Sequence, residues 1–375
     1  MRILHISKYY SPYIGGVENI CKYIVDNSKK HDVAVVCFNE GRENRIDVVD
    51  GVTVYRAGSC VNISRQALSF SYRSILKKAI EEFKPDVVQF HWANPFPAAI
   101  LLTVIPKNVK LLIHWHMDII KQKQIYRFIK PIETRFLMRA DKIVCTSPQY
   151  KDGSQPLQPF KDKVEVVPNA IDESNFIKTN NDDNLIKQIR EKYGNKKIIF
   201  FVGRHIEYKG LPYLIEAEKH VKSDCVFLIA GSGPLTESIK TSCKSDRVFF
   251  VGRLNDEELR CHHYAADVFA FPSISKNEAF GVALAEAMYC YTPAVTFTIE
   301  GSGVNWVNLD CTTGIECPNR DAKAFAAAID KLLSDEQLAN KYAQAAHDRV
   351  VNNFTIPKMM EQMEAVYSSL QERRK

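Results

Sequence analysis

The sequence predicts an α/β chain of two doubly wound units facing a cleft. Three observations carry that expectation. Short β-branched runs alternate with segments of helical periodicity, the pattern of a mostly parallel sheet with helices on both faces. The same pattern restarts after residue 176. A length of 375 residues suits two domains and makes a third unnecessary.

Taken in order, residues 3–7, 33–38, 52–56, 87–90, 111–115 and 143–146 read as buried strands, with helical spacing at 17–28 and 75–83. In the second half, strands are expected at 198–202, 226–230, 248–251, 268–271 and 294–297. Helices are expected near 211–221, 234–244, 256–265, 282–289 and 321–334. The polar stretch 178–184 has the composition of a linker. The expected domains are therefore 1–175 and 176–354, followed by a helix over 355–375 whose apolar positions are Met359, Met363, Val366 and Leu370.

Composition narrows the class. With 46 % hydrophobic and 25 % charged residues, the chain is neither disordered nor fibrous. Its ten cysteines include no Cys-x-x-Cys pair, which points to buried thiols in a reducing compartment. The N-terminal apolar run is too short for a secretion signal, and no stretch is long and apolar enough to span a bilayer. A cytoplasmic protein is the expectation. Charge is uneven: residues 1–175 hold 25 Lys and Arg against 18 Asp and Glu, whereas 176–375 hold 25 against 26. The basic first half suggests an anionic partner.

In such sheets ligands bind beyond the carboxyl ends of the strands, so residues just after strands carry most information. Gly15-Gly16-Val17-Glu18 follows the first strand and the loop 8–14 and opens a helix, where free amides favour an anion. Gly203-Arg204 follows another strand, with Lys209-Gly210 shortly after. Two cations at a strand end suit a diphosphate, Arg as a planar fork and Lys as a mobile charge. Gly231–Pro234 is a further turn into a helix. Glu278-Ala279-Phe280-Gly281-Val282 leads into a helix containing Glu286, a carboxylate on an apolar face that needs hydrogen-bond donors such as the vicinal hydroxyls of a ribose. The plainer reading of each piece alone is a structural turn, a solvated cation or a salt-bridged acid.

His114 and His116 share one face of a strand, a spacing that can hold a metal. His91 reads as isolated and His262-His263 as helical, so no further ligand cluster is expected. A substrate-contacting role for His116 is the stronger reading.

Together these pieces resemble the retaining glycosyltransferases of the GT-B fold, family 4. The segments that match are Gly15–Glu18, the His116 segment, Pro168–Asp172, Gly203-Arg204 with Lys209-Gly210, Gly231–Pro234 and the Glu-x7-Glu run, in family order over nearly the whole chain. The resemblance implies two Rossmann-like domains, an acceptor-binding one and a nucleotide-sugar-binding one. It implies that Arg204 and Lys209 bind and neutralise the donor diphosphate, and that Glu278 contacts the transferred sugar. The backbone of Phe280, Gly281 and Val282 would hold sugar and phosphate, and Glu286 the ribose. Gly16 and Gly233 would allow close approach of the donor, Arg253 and Leu254 would lie near the base, and His116 near the sugar. It implies retention of configuration without a metal or other cofactor, the nucleoside-diphosphate sugar being the donor substrate. Ala170 departs from the commoner Asn-Gly-x-Asp turn. The loop 273–277 and the segment 299–308 resemble the branch that makes bacterial surface polysaccharide or lipopolysaccharide, often from mannose-type donors.

Two basic stretches bear on the acceptor. Residues 119–142 and 65–84 interleave Lys and Arg with aromatic and aliphatic residues, a composition suited to an anionic bilayer surface. This predicts peripheral contact with the inner face of the membrane and a saccharide or lipid-linked saccharide acceptor. Rival readings are a glycoside hydrolase using Glu278 and Glu286, a non-catalytic nucleotide-sugar binder, and a metal hydrolase through His114 and His116. The basic residues form no nucleic-acid-binding module.

Overall fold

A computed structural model describes residues 1–13, 15–63, 66–119 and 123–372. Residues 14, 65, 120–122 and 373–375, which fall in the loop 8–14 and the stretches 65–84, 119–142 and 355–375 read above, lie outside them. The chain divides into two compact units, Met1–Asn169 with Ile356–Lys375, and Ala170–Thr355. The division falls a few residues before 175 because Ile171 and Phe176 belong to the second core, where Ile171 also bridges to Thr355.

The first unit is built on β1 (Arg2–Ile6), β2 (Asp32–Asn39), β3 (Arg45–Val49), β4 (Val52–Gly58), the hairpin β5 (Val61–Ile63) and β6 (Gln66–Leu68), then β7 (Val87–Trp92), β8 (Lys110–Trp115), β9 (Lys142–Cys145) and β10 (Val164–Val166). Eight of them form one sheet in the order β10-β9-β8-β7-β1-β2-β4-β3. All its pairings are parallel except that of β3, an edge strand with exposed Ile46 and Val48. Every residue of β7 is buried, as expected of a parallel strand covered on both faces. The helix Ile356–Glu372 belongs to this unit. Its Met359, Met363, Val366 and Leu370 are buried, Tyr367 donates a hydrogen bond to Gln89 on β7, and Glu364 pairs with His31 at 3.2 Å.

The second unit holds β11 (Lys197–Val202), β12 (Cys225–Ala230), β13 (Val248–Gly252), β14 (Val268–Phe271), β15 (Ala294–Phe297) and β16 (Gly314–Cys317), all parallel, in the order β13-β12-β11-β14-β15-β16. The order reverses direction beside β11, so the loops after β11 and β14 open at one crevice. The stretch 178–184 is not a free linker. Asp182 opens the helix Asp182–Lys192 fully buried, gripped by Arg260 at 2.8 and 2.9 Å, and that hydrogen bonding holds its carboxyl well below the usual carboxylate range.

Helix Pro95–Val104 was not legible as an amphipathic pattern because it is apolar around most of its circumference. All ten cysteines are free thiols. Among the described residues no helix is long and apolar enough to cross a membrane. In the stretch 65–84 Phe70 is exposed, but Tyr72, Ile75 and Leu76 pack into the core, and Lys77 and Lys78 pair with Glu81 and Glu82. In helix Lys123–Arg139, by contrast, Phe128 and Met138 are exposed beside exposed Arg127 and Arg135.

Candidate functional site

The second unit gathers most of the candidate residues at the carboxyl ends of four adjacent strands. Arg204 stands two residues beyond β11, exposed, and its guanidinium makes no hydrogen bond or ion pair among the described residues. Lys209 closes the short 3-10 turn Glu207–Lys209 and pairs with Glu278 in the loop after β14. Both side chains are about nine-tenths buried, so neither charge would persist there without the other. Burial works against the Lys209 ammonium, but Glu278, Tyr208 and Glu286 outweigh it and hold its pKa above the ordinary lysine value. Ser273 donates a further hydrogen bond to Glu278 at 3.2 Å, and Ser302 donates one to its backbone carbonyl. The loop is thus pinned at both its side chain and its main chain.

Gly281 caps the helix Val282–Tyr289 at φ +95°, a left-handed conformation that glycine takes without steric cost. The amides of Phe280, Gly281 and Val282 have no hydrogen-bond partner among the described residues, so they form a set of donors at a positive helix end. Glu286 lies one turn further on. Burial lifts its carboxyl to about 7, Lys209 pulls it down, and Asp256 adds to the rise. No hydrogen bond to its carboxylate from the described residues offsets that burial.

On the other flank, a Cβ at Gly233 would lie 2.5 Å from the carbonyl oxygen of His205, so only glycine lets these two loops touch. Arg253, just beyond β13, donates to Ser232 at 3.0 Å. Leu254 lines a groove of about 620 Å³ together with Leu185, Ile189, Tyr193 and Phe249. The structure therefore brings Lys209, Glu278 and Glu286 into one electrostatic cluster, puts Arg204 and Gly233 at neighbouring strand ends, and leaves Leu254 on the flank.

In the first unit, Gly16 opens the helix Gly16–Asn27 with no side-chain cap, and a Cβ there would meet nothing within 4 Å. The glycine is not demanded by packing in this unit, which leaves space for a ligand. His116 follows β8, buried, its ring stacked on His114 with centroids 4.2 Å apart. His91 is not isolated, contrary to the sequence reading. The register of β7 on β8 aligns it with His114, and its Nδ1 lies 3.0 Å from His116 Nε2. His5 on β1 continues the row, with Nδ1 3.4 Å from His91 Nε2. The signal that could have revealed this row was the appearance of a histidine in each of three neighbouring strands.

His91, His114 and His116 bring ring nitrogens within 4.8 Å of one another, as do His5 and His91 with the thiol of Cys21. Metal ligation needs in-plane lone pairs converging on one point. The three rings of the first triad instead lie nearly parallel, with interplanar angles of 11°, 18° and 28°. They would have to rotate to hold an ion.

Geometry and chain comparison converge. Residues 182–349 match the glycosyl transferases group 1 and residues 14–175 the glycosyltransferase family 4. The chain belongs to this family, and it is a glycosyltransferase. It is 28 % identical to O-antigen chain mannosyltransferase C of Escherichia coli, covering 99 % of both chains. It is also 28 % identical to D-rhamnosyltransferase WbpZ of Pseudomonas aeruginosa, over 95 % of this chain and 92 % of the other. Its fold, the GT-B fold of two Rossmann-like units, is that of sucrose-phosphate synthase from Thermosynechococcus elongatus, with a TM-score of 0.82, 19 % identity and 99 % coverage of each chain. The two sequence relatives are named as transferases, and in this chain Glu278 is paired with Lys209.

Proposed function

We propose that the protein is a retaining, metal-independent hexosyltransferase. It moves a mannose-type sugar from a nucleoside diphosphate to a saccharide or lipid-linked saccharide in surface polysaccharide or lipopolysaccharide synthesis. One observation carries the reading: among the described residues, an arginine without a partner and a buried Lys209–Glu278 pair stand at strand ends that also present three unpaired amides. That is a site for a diphosphate that carries a polyol.

In this reading Arg204 and Lys209 hold the diphosphate and stabilise the charge that grows on it as the glycosidic bond breaks. The amides of Phe280, Gly281 and Val282 hold phosphate and sugar, Glu278 accepts from sugar hydroxyls, and Glu286 accepts from the ribose. Arg253 and Leu254 flank the base, Gly16 admits the diphosphate, and His116 bonds to the sugar. The acceptor hydroxyl attacks from the face the diphosphate leaves and passes its proton to the departing phosphate oxygen, so configuration is retained with no covalent nucleophile. The positive side chains do the neutralising that a divalent cation does elsewhere. The names of the relatives support the mannose-type sugar and the polysaccharide setting.

Incubation with a panel of UDP-, GDP- and ADP-sugars tests the donor, read by thermal shift and slow donor hydrolysis. Proton NMR of the product's anomeric signal tests retention. An inverted anomer, or activity abolished by chelator and restored by a divalent metal, would overturn those parts. Peripheral membrane contact is carried by Arg127, Phe128, Arg135 and Met138 on one helix face. Flotation with anionic liposomes at low salt should show binding that Phe128→Ser weakens, and no binding at all would remove the membrane from the account.

A further inference from the structure

The histidine row in the first unit has a direction. Burial pulls its members and the adjoining His114 well below the ordinary histidine value, His5 and His114 to about 3, so each is neutral near pH 7. A neutral imidazole carries one N–H and one lone pair. The two bonds His5 Nδ1 to His91 Nε2 and His91 Nδ1 to His116 Nε2, 3.4 and 3.0 Å long, can both form only if every N–H points the same way along the row.

Two orders satisfy that condition. In the inward order His116 donates to His91 and His91 to His5, which leaves an N–H on His5 Nε2. That atom is buried with no partner among the described residues, and orphaned buried N–H groups are rare. In the outward order His5 donates to His91 and His91 to His116. His5 Nε2 then holds only a lone pair, and the Cys21 thiol, a weak donor, lies within 4.8 Å of a His5 ring nitrogen. Within the row, the outward order strands no donor.

Neighbouring groups hold the rings in place. Tyr367 donates to Gln89 Oε1, which turns the Gln89 amide nitrogen toward His114 Nδ1 at 3.4 Å. His114 thereby keeps its proton on Nε2, which is buried without a partner among the described residues in either order, and stays out of the row, stacked against His116. The inward order would strand a second such N–H, on His5; the outward order does not. His116 ends the row just past β8, and its Nδ1 has no partner among the described residues.

We propose that His91 is a positioning residue that fixes His116 as its Nδ1–H tautomer, so that His116 faces its ligand as a hydrogen-bond donor. With the function proposed above, on which this consequence rests, the acceptor is a hydroxyl oxygen of the transferred sugar. His116 then contributes a bond to oxygen rather than a base.

The test reads the tautomer directly, without nucleotide sugar. Protein labelled with 15N-histidine is examined by long-range proton–nitrogen correlation, the His116 signals being assigned by their loss in His116→Gln. The expected wild-type spectrum shows His116 protonated on Nδ1 and bare on Nε2. His91→Phe should abolish that fixed state, and His91→Asn, whose amide can stand in for Nδ1 as a donor, should keep it. Turnover should fall roughly three- to tenfold in His91→Phe, the worth of one neutral hydrogen bond, and recover in His91→Asn. A wild-type His116 protonated on Nε2 overturns the proposal whatever the variants do. So does an unchanged His116 tautomer in a folded His91→Phe protein. A tautomer that shifts while turnover stays level upholds the role of His91 and instead refutes the contact between His116 and the sugar.

Discussion

The two units bury polar groups in opposite ways. In the second, charges are kept charged: Lys209 and Glu278 form an ion pair in a pinned loop, while exposed Arg204 has no partner among the described residues. In the first, the histidines give up charge altogether and stack as neutral rings. Under the proposed function, the difference suits what each unit does. A leaving diphosphate needs fixed positive charge in place before reaction, whereas a sugar hydroxyl is read by the direction of a single hydrogen bond.

The comparison breaks most easily at Lys209. Lys209→Ala should abolish measurable transfer and also destabilise the protein by about 3 kcal/mol, because it leaves Glu278 buried and unpaired. The double variant with Glu278→Ala should recover part of that stability in a thermal melt but none of the activity. Arg204→Ala should lower kcat roughly 10²- to 10³-fold with an unchanged melting temperature, since its side chain holds nothing in the fold. Equal losses of stability in the two variants would erase the distinction between a structural and a free cation.

Glu286 sharpens the same contrast at smaller scale. Glu286→Ala should weaken nucleoside diphosphate binding roughly 10- to 100-fold in a calorimetric titration, as the loss of hydrogen bonds to a charged group does. Its stability effect has a sign. The folded carboxyl titrates near 7 against an ordinary 4.5, so the wild type loses stability as pH rises from about 4.5 through 7. Glu286→Gln removes that loss and should melt roughly 2–4 °C above wild type at pH 8 and level with it at pH 4. The histidines run the other way. Their folded values lie below the ordinary 6.5, so the stability they confer is complete above 6.5 and is lost as pH falls toward 3. His5 and His114 signals should accordingly stay unshifted in an NMR titration from pH 8 to 5, and movement in that range would contradict the neutral row.

These two regions were also unequally legible. Arg204, Lys209, Glu278 and Glu286 each follow a hydrophobic strand run or sit near a helix start, so their proximity follows from the α/β pattern alone. The histidine row does not follow from it. His91 meets His116 only because β7 and β8 pair in one register, and a shift of one residue would have sent it to the opposite face. The linker reading of 178–184 failed for a related reason. Its polar composition hides the fact that Asp182 is claimed by Arg260, 78 residues away. Long-range pairing is invisible to composition, whereas local periodicity is not.

Crystals grown with a nucleoside-diphosphate mannose or glucose test the central claim most directly. The account predicts a diphosphate within hydrogen-bond distance of Arg204, Lys209 and the amides at Gly281, with ribose hydroxyls on Glu286. A diphosphate bound by other residues, or a sugar nucleotide that saturates the protein with Arg204 still unengaged, would contradict it.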